Sequence, residues 1–258
     1  MASGGGSTTG QWLYMVDGRY VYCIVDSNEP TTLGDIGLLG RPAYVVCHKD
    51  IGALVSPIPY AEVQASIDNI LAHQRAVESA RKVGTTLPVK FGTIFRKEDG
   101  VTTLLTKSYD DYRKKLAKLE GLDEFGVKVL FNKAGLDKVK ADVERKSPEV
   151  LKMRRSLAKA SQGKSYFTKL KMSEAIKSEA YRRMDELSRE IHDELVRDAQ
   201  DSSLLKSEHE QIVLNAAYLV RRGNGEEFLA KAGKLGKTYA EKGLLVHSSG
   251  PWAPYSFC

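Results

Sequence analysis

The sequence has few of the features that mark a secreted or membrane-spanning protein. Only three of its 258 residues are cysteines, and Cys23, Cys47 and Cys258 form no Cys-x-x-Cys pair. An odd set of separate thiols is typical of a reducing compartment. No stretch approaches the roughly 20 consecutive apolar residues that span a bilayer, and the first ten residues lack the basic and apolar segments of a secretory signal. We therefore expect a soluble, cytoplasmic protein without a membrane partner.

The sequence also has none of the familiar catalytic or metal-binding motifs. Its five histidines fall in five different predicted elements, and none is spaced from another His or a Cys as zinc ligands are. We interpret them as surface or capping residues. Gly163-Lys164-Ser165 ends like a phosphate-binding loop, but Ala158 stands where that loop needs a glycine. A Gly-x-Ser-x-Gly elbow and a carboxylate cluster are both missing. The sequence thus offers no nucleophile with a partnered base and no cofactor or metal motif, and an enzyme without a familiar motif is kept as a third function class.

What the sequence has is enough apolar residues, 42%, to build a packed core. Short β-like runs alternate with helical periodicity, which predicts an α+β fold. The first half predicts strands over 19–26, 42–47 and 52–56, a helix over 61–83, an extended segment over 87–95 and a helix over 101–119. The second half predicts a strand over 125–131, a long helical region interrupted near 160–165, strands over 202–206 and 211–220, a helix over 226–242 and a strand over 244–248.

The element order of the second half is β, long α, β, β, α, β, which is the split βαβ, or ferredoxin-like, arrangement. The length allows two modest domains. We predict a flexible N-terminal tail and lead-in over 1–18 and a modified ferredoxin-like α+β domain over 19–125. A ferredoxin-like domain with a long helical hairpin insertion follows over 126–249, and an aromatic and proline-containing tail over 250–258.

The positive charge is concentrated in the second half. The net charge is +6, with −1 over residues 1–125 and +7 over residues 126–258. Within the helical region, residues 138–171 carry a net +8 and residues 174–201 a net −4. If the chain turns at Gly163, the two segments can pair with opposite charges facing each other. The basic second half makes nucleic-acid binding through a basic helix at 138–171 the alternative function, and the missing aromatic ladder of RNA-binding ferredoxin-like sheets argues against it.

Two motifs are candidates for a protein contact. Residues 87–95 mix apolar side chains with a proline and a glycine that shape the backbone. Residues 250–257 combine three aromatics with two prolines. That tail either packs against the body of the protein or is an aromatic knob offered to a partner. The candidate residues are Leu87, Pro88, Phe91, Gly92, Phe95, Trp252, Tyr255 and Phe257.

Six segments in this order resemble the GvpF/GvpL family of gas vesicle proteins. They are Tyr20-Val-Tyr-Cys-Ile-Val25, Gly52-Ala-Leu-Val-Ser56, Leu87-Pro-Val-Lys-Phe-Gly-Thr-Ile-Phe95, Phe125-Gly-Val-Lys-Val-Leu130, Gly163-Lys-Ser-Tyr-Phe167 and Gly250-Pro-Trp-Ala-Pro-Tyr-Ser-Phe257. Together they extend from about residue 19 to the last residue. The familiar form of the tail has proline where this chain has Ala253, a difference that we expect to alter local stiffness.

The resemblance implies a two-domain α+β protein that is an accessory or minor structural component of gas vesicles rather than an enzyme. Its implied partners are the small, very hydrophobic shell protein and other gas vesicle proteins, in the cytoplasm and at the vesicle. A shell subunit that coats a gas interface exposes a large apolar face and needs cover before assembly. We expect the N-terminal domain and an interdomain cleft, floored by residues 87–95 and lined by the tail, to bind it.

Overall fold

A computed structural model describes residues 17–158, 162–207 and 209–258. The predicted flexible tail and lead-in therefore lies almost entirely outside the described residues. The chain forms two compact units, one that runs up to Leu122 and includes Trp252–Cys258, and one formed by Asp123–Pro251. Each unit contains an antiparallel β-sheet with helices. The predicted α+β class is confirmed.

The first unit is built on a five-stranded sheet. Its elements are β1 (Asp17–Val25), β2 (Tyr44–His48), β3 (Ile51–Pro59), α1 (Ile67–Val83), β4 (Thr86–Pro88), β5 (Ile94–Phe95), α2 (Glu98–Lys107) and α3 (Tyr109–Leu119). The strand order is β2-β3-β1-β4, and β5 also pairs with β1. Five consecutive β1 residues, Tyr20 to Ile24, are completely buried. Because successive strand side chains point to opposite faces, both faces of this sheet are covered.

The second unit has a four-stranded sheet in the order β7-β8-β6-β9. Its elements are β6 (Leu122–Phe131), α4 (Lys133–Lys146), α5 (Pro148–Leu157), α6 (Gln162–Val196), β7 (Asp201–Leu204), β8 (Ile212–Arg221), α7 (Gly225–Ala240) and β9 (Leu244–Trp252). In β6, Val127 and Val129 are buried whereas Lys128 is exposed. This alternation shows that one face of the strand packs on the core and the other faces solvent.

The apolar stripe predicted over residues 172–195 is confirmed as one face of α6. Its C-terminal half covers the sheet, where Met184, Ile191 and Leu195 are 5% exposed or less. Its N-terminal half packs against α4 and α5, in a cluster of Val143, Val150, Ile176 and Ala180. The turn predicted at Gly163 was wrong, because Gly163 already belongs to α6; residues 159–161, between α5 and α6, are not described.

Three predicted boundaries in the chain were wrong. α1 begins at Ile67 rather than at residue 61, because the Ser66 hydroxyl caps it by accepting a hydrogen bond from Asn69 N–H. The single helix over 101–119 is two helices, since Ser108 has a non-helical backbone between α2 and α3. The last strand continues to Trp252, so it includes the start of the predicted tail.

Opposite charges were expected to pair between the two helical segments. Among the described residues, most of the ion pairs of these helices do not follow that expectation. Glu179 accepts from Arg182 and Arg183, which lie on its own helix. Between α4 and α6, an ion pair joins Asp142 to Arg183 at 3.5 Å. That pair joins an acid of the basic segment to a base of the acidic one. Apolar packing joins these helices, and much of the positive charge of residues 138–171 stays in solvent.

Candidate functional site

An open groove of about 450 Å³ runs beside α1 in the first unit, and we call it the α1 groove. It is formed by one side of α1, the segment after β4 and the C-terminal tail. All of these segments belong to the first unit. The lining residues are Ile70, His73, Gln74, Pro88, Val89, Lys90, Phe91, Tyr255 and Cys258.

The segment after β4 is held against β1 by hydrogen bonds. Val89 N–H donates to the Tyr22 carbonyl at 3.0 Å, and Gly92 N–H donates to the Tyr20 hydroxyl at 3.0 Å. Gly92 has a φ of +87°, in the left-handed region that favours glycine. The turn at Gly92 therefore sets the position of Phe91 on the wall of the groove.

The C-terminal tail packs against α1. Ala253 is completely buried, and its N–H donates to Glu78 Oε1 at 2.8 Å. The Tyr255 ring lies 6.5 Å from the His73 ring, yet Tyr255 and Trp252 remain 40% and 46% exposed. The backbone of the tail is thus docked, as the first of the two predicted alternatives requires, while two of its aromatic side chains still face solvent.

His73 lies at the base of the groove and is only 3% exposed, so its interpretation as a surface or capping residue was wrong. The rings of Tyr20, Tyr22 and Phe91 have their centres 5.6–5.7 Å from it. Its Nδ1 lies 3.0 Å from the Tyr20 hydroxyl, whose proton can satisfy that nitrogen. Burial lowers the pKa of His73 to about 4. His73 is therefore neutral at pH 7, and the base of the groove is aromatic and uncharged.

Three of the eight candidate residues line the α1 groove, namely Pro88, Phe91 and Tyr255. Two others support it from below, since Leu87 is buried in β4 and Gly92 makes the turn. The remaining three lie elsewhere. Phe95 packs against Gly100 at the start of α2; Trp252 ends β9, and Phe257 is half-buried in a 3-10 turn.

An apolar ridge borders the groove, formed by Ile67, Ile70 and Leu71, and we call it the α1 ridge. These side chains are 77%, 39% and 44% exposed. Small residues on the opposite side of α1 face the core instead, namely Ala72, Ala76 and Ala80. A second cavity of about 700 Å³ separates α1 from the 3-10 turn at Leu38–Gly40. The N-terminal half of α1 therefore presents apolar side chains to solvent with a depression on each side.

Ile70, His73 and Glu78 belong to the site but were not among the predicted site residues. The helical spacing did place Ile70 on α1, but a large apolar side chain predicts a core position. In the structure the alanines of α1 pack in the core instead. His73 gave only a weak signal, since the polar pair Gln74–Arg75 follows it directly and separates it from buried Ala76 and Val77. Nothing local marks Glu78 as the anchor of a segment 175 residues away.

The arrangement of the described residues bears on metal binding and on membrane insertion. Within 17–158, 162–207 and 209–258, no group of three His, Cys, Asp or Glu side chains is placed to hold a metal ion. In the same ranges, no helix combines the length and apolar character needed to cross a membrane. The α1 groove contains a neutral histidine among aromatic rings, an arrangement suited to packing an apolar segment of a partner.

Comparison with known proteins places the chain among gas vesicle proteins. It is 27% identical to gas vesicle protein L of Streptomyces sp. (strain CB03234), over 93% of this chain and 92% of that protein. It is 29% identical to gas vesicle protein F of the same strain, over 92% and 98%. The crystal structure of GvpF from Anabaena sp. PCC7120 has a TM-score of 0.79 at 25% identity and covers 93% of this chain and 98% of that one.

A second crystal structure, of GvpF from Microcystis aeruginosa, has a TM-score of 0.72 at 20% identity and supports the fold. The family model for the gas vesicle synthesis protein GvpL/GvpF matches residues 18–258. That match extends from the second residue of β1 to the last residue of the tail. The chain belongs to the GvpL/GvpF family of gas vesicle synthesis proteins.

Proposed function

We propose that this protein is a non-enzymatic accessory or minor structural component of gas vesicles. It binds the hydrophobic shell protein, other gas vesicle proteins, or both, during nucleation and assembly, in the cytoplasm and at the vesicle. Family membership supports the gas vesicle role. The observation that carries the binding role is the α1 ridge, with three large apolar side chains in solvent beside an aromatic groove.

The chemistry of the α1 groove fits an apolar client. A segment that leaves water gains free energy in proportion to the apolar area that it buries. Ile70, Phe91 and Tyr255 offer such area around neutral His73. Lys90 and Gln74 supply polar groups at the exposed margin. Shell subunits that would otherwise aggregate through their apolar face could be held in this way.

The strand order β7-β8-β6-β9 supports the finer interpretation of the second unit as ferredoxin-like. Helices α4–α6 connect β6 to β7, and α7 connects β8 to β9, which gives two crossovers around central strands β6 and β8. Nucleic-acid binding through residues 138–171 is not favoured, since the relatives are gas vesicle proteins.

A capture experiment with the full chain tests the binding role. The protein would be co-expressed with the shell protein, and the amount of shell protein recovered with it would be measured. Ile70→Lys places a charge in the α1 groove and should reduce recovery severalfold. Val83→Lys is the matched control, because Val83 ends the same helix, is 76% exposed and does not line the groove. Equal recovery with both variants, or none with the unmodified protein, would contradict the proposal.

A further inference from the structure

A second apolar surface lies at the start of α6. Tyr166, Phe167 and Leu170 are 69%, 66% and 49% exposed, and the first two rings pack edge to face with centres 6.2 Å apart. Residues three and four apart share one face of a helix, so the three side chains form one surface. Met172 lies about 200° around the helix from Leu170 and packs inward with the α4–α5 cluster. This surface therefore lies on a different face of α6 from the inward apolar stripe, and it is exposed among the described residues.

The same region carries only positive charge. Residues 150–171 contain seven Lys or Arg and no Asp or Glu. Of those that the structure describes, Arg154 reaches Glu144 at 3.5 Å. Four others are exposed and form no ion pair among the described residues, namely Lys152, Arg155, Lys169 and Lys171. We call this region, residues 150–157 and 165–171, the basic tip.

We propose that the basic tip binds an acidic amphipathic segment of another protein. The segment's apolar side chains pack on Tyr166, Phe167 and Leu170, and its carboxylates pair with the flanking lysines and arginines. Charge complementarity argues for this occupant, since the tip presents cations around an apolar centre with no acid of its own. Lys169 and Lys171 bracket Leu170 in sequence, so an apolar contact at Leu170 brings a partner's flanking carboxylates within reach of both ammonium groups.

A phosphate backbone would use the cations of the tip but would gain little from Leu170. Nucleic-acid binding of this kind depends mainly on the number of neutralised phosphates and on stacking of bases against aromatic faces. An aliphatic side chain contributes to neither. An amphipathic protein segment uses the charged and the apolar parts together, and this difference makes the two occupants separable by mutation.

The experiment measures binding of the full chain to a fluorescent synthetic helix by anisotropy. The probe carries leucines at helical spacing on one face and glutamates on both flanks. A peptide with the same residues in scrambled order and a single-stranded DNA oligonucleotide are the comparison probes. We expect the unmodified protein to bind the amphipathic peptide at least about tenfold more tightly than the scrambled one, and salt to weaken the binding.

Two variants locate the contact. Leu170→Gln and Lys169→Glu/Lys171→Glu should each weaken binding about tenfold or more. The controls are Leu204→Gln, which removes an apolar side chain that is 67% exposed in β7, and Lys234→Glu/Lys237→Glu, which reverses two exposed lysines of α7. Both controls should bind as the unmodified protein does.

Three results would overturn the proposal. The first is equal affinity for the amphipathic and scrambled peptides. The second is unchanged affinity in both tip variants while circular dichroism shows native helix content. The third is tighter binding of the DNA oligonucleotide that depends on Lys169 and Lys171 and not on Leu170, which would identify the tip as a nucleic-acid-binding surface instead.

Discussion

Glu78 on α1 and Ala253 in the C-terminal tail are joined by a 2.8 Å hydrogen bond, in which the Ala253 N–H donates to Oε1 of the carboxylate. The other carboxylate oxygen accepts from Arg81 Nε at 2.7 Å. The side chains of Glu78 and Arg81 are 22% and 13% exposed. This largely buried carboxylate therefore fixes the tail to α1 through a backbone group that proline, the residue expected here from the family resemblance, does not possess.

Substituting Ala253→Pro should lower the stability of the protein. The change removes the N–H donor and leaves Oε1 of Glu78 short of a partner, at a cost of about 1–3 kcal/mol. Urea unfolding followed by circular dichroism would measure the loss. The double variant Glu78→Ala/Ala253→Pro provides the control, because without the carboxylate the proline has less to disrupt. If the losses in unfolding free energy of Glu78→Ala and Ala253→Pro simply add up in the double variant, the hydrogen bond contributes no coupling energy.

The stability of the first unit should depend on pH through His73. Its pKa falls from an ordinary value of 6.5 to about 4 because it is buried. Between these values the unfolded chain binds the proton and the folded protein does not, so stability is lost as pH falls from about 6.5 to about 4. The loss should reach up to about 3 kcal/mol, and below pH 4 this residue should add nothing further.

His73→Asn isolates that contribution, since an amide can still accept from the Tyr20 hydroxyl but does not titrate. Unfolding free energies at pH 7 and pH 4.5 should differ less in the variant than in the unmodified protein. An identical pH dependence in the two proteins would mean that His73 charges in the folded state without penalty.

Ending the chain after Trp252 should lower the melting temperature by about 5 °C or more. The truncation removes Ala253 from the buried cluster that contains Tyr20, Cys23 and Ala76. It also removes Tyr255, whose ring lies 6.5 Å from the ring of His73. Thermal unfolding would compare the truncated chain with Trp252→Ala. That variant alters a side chain that is 46% exposed and leaves residues 253–258 in place. An unchanged melting temperature after truncation would contradict a packed tail.

Two glycines in helices of the second unit should respond oppositely to alanine. A Cβ at Gly135 would lie 2.6 Å from the Gly243 carbonyl oxygen and 2.9 Å from the Phe131 ring, so Gly135→Ala should destabilise by about 1–3 kcal/mol. A Cβ at Gly233 on α7 would meet no atom within 4 Å, so Gly233→Ala should stabilise by about 0.5–1 kcal/mol. If chemical denaturation gave the same change in unfolding free energy for Gly135→Ala and Gly233→Ala, the close approach at Gly135 would be refuted.

The regular parts of the fold could be predicted because their patterns repeat. Seven apolar residues of α6 recur at spacings of three and four, and the structure places that stripe on the core. The start of α1 could not be placed in this way. Val63 fits the helical spacing of the apolar residues, but Ser66 caps the helix, which begins only at Ile67. Ser108 gave no sequence signal for the break between α2 and α3.

The candidate site was predicted in part, for a similar reason. Pro88, Phe91 and Tyr255 belong to two conspicuous motifs, and the structure brings them to one groove. Ile70 and His73 complete that groove from α1, but whether a helical residue faces a sheet or solvent depends on the neighbouring elements. The short side chains of Ala72 and Ala76 let α1 approach the sheet, and this leaves the larger Ile67 outside. Which residues of α1 face the sheet and which face solvent is therefore set by the packing and not by the local sequence.

Because Trp252–Cys258 belongs to the first unit, the order of synthesis differs from the order of assembly. A ribosome makes β1 to α3 first, then the whole of Asp123–Pro251, and only afterwards the residues that cover Tyr20 and Cys23. If the first unit folds before the second is complete, its Tyr20 and Cys23 stay uncovered on that side until the tail is made. In that case a chaperone that binds apolar side chains would have access to the site of Ala253 only during this interval.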